Sequence, residues 1–102
     1  MSANEARGEA ALSVDGREAV LRPSFAALVA AEDELGPLFA LVDRASEGQL
    51  RLTEIATLFW HCLADRERFS REMVGEAVLA AGLAASARPL RALLSQILQG
   101  RA

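Results

Sequence analysis

The sequence lacks several of the residue types that common functional sites require. Among its 102 residues there is no lysine or tyrosine, and there is one cysteine, one histidine and one tryptophan. A single cysteine excludes an internal disulfide and fits a reducing compartment. The net charge is −3 and arginine is the only basic residue, so binding of nucleic acid through bulk charge is not expected.

Long apolar runs are also missing. No run approaches the roughly 20 residues that a membrane-spanning helix needs. The N-terminal residues "MSANEARGEA" do not have the basic and then apolar layout of a signal peptide. We therefore expect a cytoplasmic protein with neither a membrane nor a nucleic acid as partner.

The single histidine and cysteine, His61 and Cys62, are adjacent and do not form a metal site. Neighbouring helix positions point about 100° apart, and no second His or Cys completes a zinc set. A Cys-His nucleophile lacks the third, orienting group. The acidic run at 32–34 would fan around a helix end and is interpreted as solvated. The sequence predicts no catalytic residue, no cofactor and no enzyme activity.

Residues 9–22 predict a β-hairpin. Apolar and other residues alternate on both sides of Asp15-Gly16, which suits a type I′ turn, and Pro23 ends the second strand. The predicted pairs are Val14–Arg17, Leu12–Ala19, Ala10–Leu21 and Glu9–Arg22. The resulting apolar side must be covered by helices, whereas the outer edge is expected to stay unpaired and able to accept a strand.

Helical spacing of apolar residues predicts helices over about 24–35, 37–45, 53–64, 70–81 and 87–99. The predicted helix-capping and helix-ending residues are Ser24, Gly36, Thr53, Ser70 and Gly82. Residues 83–88 are interpreted as a joint and residues 1–8 as a flexible N-terminus. The predicted fold is α+β and mostly α, a single domain over 9–100 in which an N-terminal hairpin packs on four or five short helices.

Three stretches follow the order of features of a known family. They are "GEAALSVDGREAVLRPSFAALVAAEDELG" at 8–36, "LFALVDRASEGQLRLTEIATLFWHCL" at 38–63 and "VGEAVLAAGLAASARPLRALLSQIL" at 74–98. The matching positions include Gly8, Asp15, Gly16, Leu21, Arg22, Ser24, Phe25, Ala27, Leu28, Glu32, Leu35, Gly36, Glu47, Gly48, Leu50 and Thr53. The chain resembles the small gene transfer agent (GTA) tail proteins, which are grouped with phage tail assembly chaperones and also described as tail tube proteins.

The resemblance implies a non-enzymatic part in building a phage-like tail. Its partner would be the largely helical tape measure protein or the tail tube protein, met in the bacterial cytoplasm or inside a phage-like particle. The alternative is a small helical adaptor or regulatory module that binds another protein and is unrelated to tails.

Five apolar residues are candidates for partner binding: Trp60, Phe69, Leu90, Leu94 and Ile97. Trp60 falls beside the apolar stripe of its helix, where a large aromatic often anchors a partner; the alternative is that it packs under the hairpin or the following loop. The stripe of the last helix fits either core packing or association with another copy, so a homo-oligomer stays open.

Overall fold

The computed structural model describes residues 10–100, in which an antiparallel hairpin is followed by five α-helices. The elements are β1 Ala10–Val14, β2 Arg17–Leu21, α1 Phe25–Leu35, α2 Leu38–Ser46, α3 Leu52–Cys62, α4 Arg71–Ala81 and α5 Leu83–Gln99. This confirms the predicted fold class. The predicted flexible segment 1–8 and the pairing of Glu9 lie outside the described residues.

The hairpin has the predicted register, with Val14 opposite Arg17 and Ala10 opposite Leu21. Its turn places Asp15 at φ 53° and Gly16 at φ 76°, the two positive values that a type I′ turn requires. The apolar residues of both strands are buried. Local turn chemistry and strand alternation therefore account for the hairpin.

One edge of the hairpin is partly covered, which corrects the prediction of an unpaired outer edge. Leu63, just after α3, forms an antiparallel bridge with Leu21. The Ala64 N–H donates to the Val20 carbonyl at 2.9 Å. The residue after α3 is extended and adds a single bridge to β2 rather than a third strand. The opposite strand, β1, packs against α4 and α5.

Serine side chains begin two of the helices. The Ser24 hydroxyl accepts a hydrogen bond from the Ala27 N–H at 3.2 Å, and the Ser70 hydroxyl accepts one from the Met73 N–H at 3.1 Å. Each satisfies one of the backbone donors that a helix start leaves free. Gly36 and Gly82 follow α1 and α4 with positive φ values of 87° and 90°.

Helix α3 begins one residue earlier than predicted, and Thr53 is not its cap. Arg51 occupies the cap position, and Thr53 lies inside the first turn. The Glu54 carboxylate accepts a hydrogen bond from the Arg51 N–H at 2.9 Å. An acidic residue three positions after the cap thus performs the stabilising role that the sequence had suggested for the threonine.

Helix α5 begins at Leu83 rather than at 87, so the predicted joint is helical. Gly82 turns the chain and α5 starts at the next residue. The Ser86 hydroxyl is buried and donates to the Gly82 carbonyl at 3.2 Å. Pro89 lies inside the helix and supplies no N–H to the Ala85 carbonyl. Because Ala85 is exposed, a water molecule can donate the hydrogen bond that proline cannot.

Helix α3 lies at the centre of the domain and packs on both α1 and α4. The largest fully buried side chains are Phe59, Leu21, Leu41, Leu58, Leu93, Val14, Val74, Val78 and Cys62. No single helix within residues 10–100 is both long enough and apolar enough to cross a membrane. Helices α4 and α5 reach that length and apolarity only as a pair, across a 120° bend.

Candidate functional site

A groove between α2 and α5 forms an apolar concavity at the surface. It has a volume of about 560 Å³ and is lined by Val42 and Ala45 of α2 and by Leu90, Leu94 and Leu98 of α5. The three leucines recur every four residues, so they lie along one side of the helix. Leu93 faces the core and is fully buried, whereas Leu98 is 54% exposed. The apolar stripe of α5 is therefore wider than the domain itself covers.

The rim of this groove is polar and carries no acidic side chain among the described residues that line it. Arg91, Ser95, Ser46 and Gln99 surround the apolar floor. A groove of this kind suits the apolar face of an amphipathic helix, whose anchors repeat every three to four residues. The arrangement can bind a protein segment, and its described lining brings together no acid and base for catalysis.

The predicted partner residues fall in different places. Leu90 and Leu94 line the α2–α5 groove. Ile97 is half-buried and packs against the core cluster. Phe69 is only 5% exposed, which leaves its ring little surface for a partner. The structure thus brings two of the five together at one surface.

Trp60 is half-buried, and its described contacts are internal. Its indole N–H donates to the Phe69 carbonyl at 3.0 Å. The guanidinium of Arg71 lies 4.5 Å from the ring centroid, and that of Arg66 lies 5.6 Å away. These contacts match the alternative in which Trp60 packs against the loop that follows α3.

A polar cluster joins the end of α1 to α3 and α4 through Glu34. One carboxylate oxygen is 2.7 Å from His61 Nε2. The Arg71 guanidinium binds both carboxylate oxygens, with Nη1 at 2.6 Å from Oε2. The hydrogen bonds from Arg71 and then from His61 lower the pKa of Glu34 from 4.5 to about 2. Glu34 is therefore ionised, and although its side chain is 38% exposed, it is held by Arg71 and His61, which the interpretation of a solvated run did not include.

The same cluster shows why His61 is not a free functional group. A carboxylate only accepts hydrogen bonds, so His61 Nε2 carries the proton between them. The ring is 5% exposed, and Nδ1 is buried without a hydrogen-bond partner. Within residues 10–100, no three His, Cys, Asp or Glu side chains are grouped so that they could hold a metal ion. Burial raises the pKa of the Cys62 thiol to about 12, which keeps it protonated and unreactive.

Sequence reasoning missed two exposed aromatic rings. Phe25 is 85% exposed and Phe39 is 80% exposed, although both lie in segments where apolar residues repeat at helical spacing. Helix α1 instead buries Ala27 and Ala31, whose small side chains let it lie close to α3. The spacing alone contains no signal that distinguishes these two faces of α1.

Together, these features describe a small, mostly helical domain with an apolar surface groove. Residues 7–100 match the model of the family described as "Phage tail tube protein, GTA-gp10". The chain therefore belongs to this family of phage and gene transfer agent tail proteins, which confirms the resemblance. No curated protein and no solved structure matches the chain.

Proposed function

We propose that this chain is a tail assembly chaperone that binds the tape measure or tail tube protein and has no catalytic role. The α2–α5 groove, with its apolar floor and polar rim, is the observation that supports this proposal. Leu90, Leu94 and Leu98 repeat at the spacing that receives a helix. The resemblance implies a largely helical tape measure protein, which would offer such segments.

The exposure of Leu98 supports a surface that a partner covers. More than half of this side chain is open to water, at one end of a continuous apolar lining. Removing the apolar surface of a leucine from water stabilises a complex by about 25 cal/mol per Å². A client helix bound along α5 would gain this stabilisation, and Arg91 and Ser95 would offer it hydrogen bonds at the rim.

Incorporation in the tail tube is the second candidate, because the family description names a tube protein. The two candidates differ in where the protein ends up. A chaperone acts in the cytoplasm and is absent or scarce in purified particles, whereas a tube subunit is present in stoichiometric amounts. Quantitative mass spectrometry of purified particles distinguishes them.

The chaperone proposal is tested by co-expression with the tape measure protein encoded in the same tail gene cluster. The wild-type chain should increase the soluble fraction of that protein and co-purify with it. Leu98→Arg should reduce the co-purified amount by about tenfold, because a buried charge replaces an apolar contact. Leu83→Arg is the matched control, since Leu83 is on the same helix and is 59% exposed.

Two results would contradict the proposal. One is the absence of any complex at micromolar concentration with either the tape measure or the tail tube protein. The other is an equal loss of capture by the Leu98 and Leu83 variants, which would place the contact outside the groove.

A further inference from the structure

The exposed face of α4 carries an acidic stripe that ends in a leucine. Glu72, Glu76 and Leu79 are exposed and follow one another at intervals of four and three residues, so they share one face. Neither glutamate has a hydrogen bond or ion pair within the described part of the chain. The one arginine of α4, Arg71, is bound to Glu34. The stripe is therefore negatively charged as well as partly apolar.

Concave surfaces flank this stripe on both sides. A cleft of about 620 Å³ lies between α4 and the hairpin turn, where Met73 and Ala77 form part of its lining. A shallower groove of about 350 Å³ lies between α3 and α4, with Leu52 and Ala56 in its lining. An approaching helix would thus find room for side chains on either side of the α4 ridge.

Helix α5 exposes a stripe with the complementary order. Arg91, Ser95 and Leu98 are exposed and have the same intervals of four and three residues. Helix α5 contains no acidic residue. Aligned in parallel, the two stripes oppose Arg91 to Glu72, Ser95 to Glu76 and Leu98 to Leu79.

We propose that a second copy of this chain docks its α5 stripe on the α4 stripe of the first, in this parallel register. The ion pair and the serine–glutamate hydrogen bond set the register, and the leucine pair removes apolar area from water. The contact joins two different patches, so in a docked pair one copy keeps a free α5 stripe and the other keeps a free α4 stripe. The α4 stripe lies outside the α2–α5 groove, whereas Arg91, Ser95 and Leu98 also line that groove. A docked copy and a client helix would therefore compete for the α5 stripe.

The experiment is a charge swap measured by sedimentation equilibrium of the full chain at low salt. The wild-type chain should have a mass above that of the monomer, and added salt should weaken the association. Glu72→Arg and Arg91→Glu should each lower the association constant by about tenfold, since a facing pair of like charge replaces an attractive one. Asp33→Arg, at an exposed position on α1, makes the same charge change away from the stripe and should leave association unchanged.

The decisive experiment restores an opposite-charge pair by combining the two substitutions. An equimolar mixture of the Glu72→Arg and Arg91→Glu proteins should regain association, and so should the chain that carries both substitutions. Circular dichroism of each variant checks that the fold is kept. A wild-type chain that stays monomeric, a mixture that does not recover, or an Asp33→Arg protein as weakened as Glu72→Arg would overturn the proposal. If the wild-type chain associates with itself but captures no tape measure or tail tube protein, only the chaperone proposal is contradicted.

Discussion

The guanidinium of Arg71 stacks on the indole of Trp60, 4.5 Å from the ring centroid. The same guanidinium binds the carboxylate of Glu34. The first residue of α4 is thereby attached to α3 and to the end of α1. An acidic residue at the end of a helix opposes the helix dipole, and here the bonds from Arg71 and His61 offset that penalty.

Replacing Glu34 should change how stability depends on pH. The pKa of Glu34 is lowered from 4.5 to about 2 in the folded chain. Its contribution to the free energy of unfolding is therefore present above about pH 4.5 and is lost as the pH falls toward 2. We expect Glu34→Gln to be less stable than wild type near neutral pH and to lose less stability on acidification.

Denaturant unfolding at a series of pH values measures this effect. Asp33→Asn is the control, because it removes a neighbouring exposed carboxylate and should keep the acid sensitivity of the wild type. Equal acid sensitivity in Glu34→Gln and wild type would show that the Arg71–Glu34 pairing does not stabilise the fold.

Trp60→Phe tests the packing of the loop that follows α3. The Phe69 carbonyl would lose the indole N–H that it accepts at 3.0 Å, and we expect the free energy of unfolding to fall by about 1 kcal/mol. Thermal unfolding measures the change, with Phe39→Leu as a control at a ring that is 80% exposed. The sequence-based proposal that Trp60 contacts a client requires weaker capture as well, and unchanged capture would remove Trp60 from the client surface.

Local interactions made part of this structure predictable. The turn at Asp15-Gly16 and the serine caps of α1 and α4 depend on residues within three positions of each other. The sequence therefore contains the whole signal for them. The same holds for the hairpin register, which a two-residue turn and strand alternation determine together.

Other features depend on contacts that no local pattern records. Glu34 meets residues 27 and 37 positions away, so its neighbours in sequence suggested a solvated end. For α1, helical spacing was compatible with a buried Phe25, but packing against α3 buries the alanine face instead. Helix α5 continues through Pro89, which the rule that proline breaks helix interiors does not anticipate.

The contact between α2 and α3 should depend on Glu54. Its carboxylate is 15% exposed, pairs with Arg44 at 2.7 Å, and also accepts the Arg51 N–H. We expect Glu54→Ala to lower the free energy of unfolding by about 1–2 kcal/mol, through loss of a helix-start hydrogen bond and of an ion pair. Urea unfolding measures this, and Glu47→Ala, at an exposed residue after α2, should change stability little. Equal effects of the two substitutions would contradict the role assigned to Glu54.

Two alanine substitutions within α4 and at its end should have opposite effects. Gly82 has a φ of 90°, which side-chain-bearing residues rarely adopt, so Gly82→Ala should destabilise the chain by about 1 kcal/mol or more. Gly75 lies inside the helix, and an added Cβ would meet only the Ala56 Cβ at 3.9 Å, an ordinary contact. Gly75→Ala should therefore stabilise the chain by about 0.5–1 kcal/mol, because alanine loses less backbone entropy in a helix. Melting temperatures of the two variants, measured side by side, test both signs, and a loss of stability in Gly75→Ala would show that α3 and α4 lie too close for the extra methyl group.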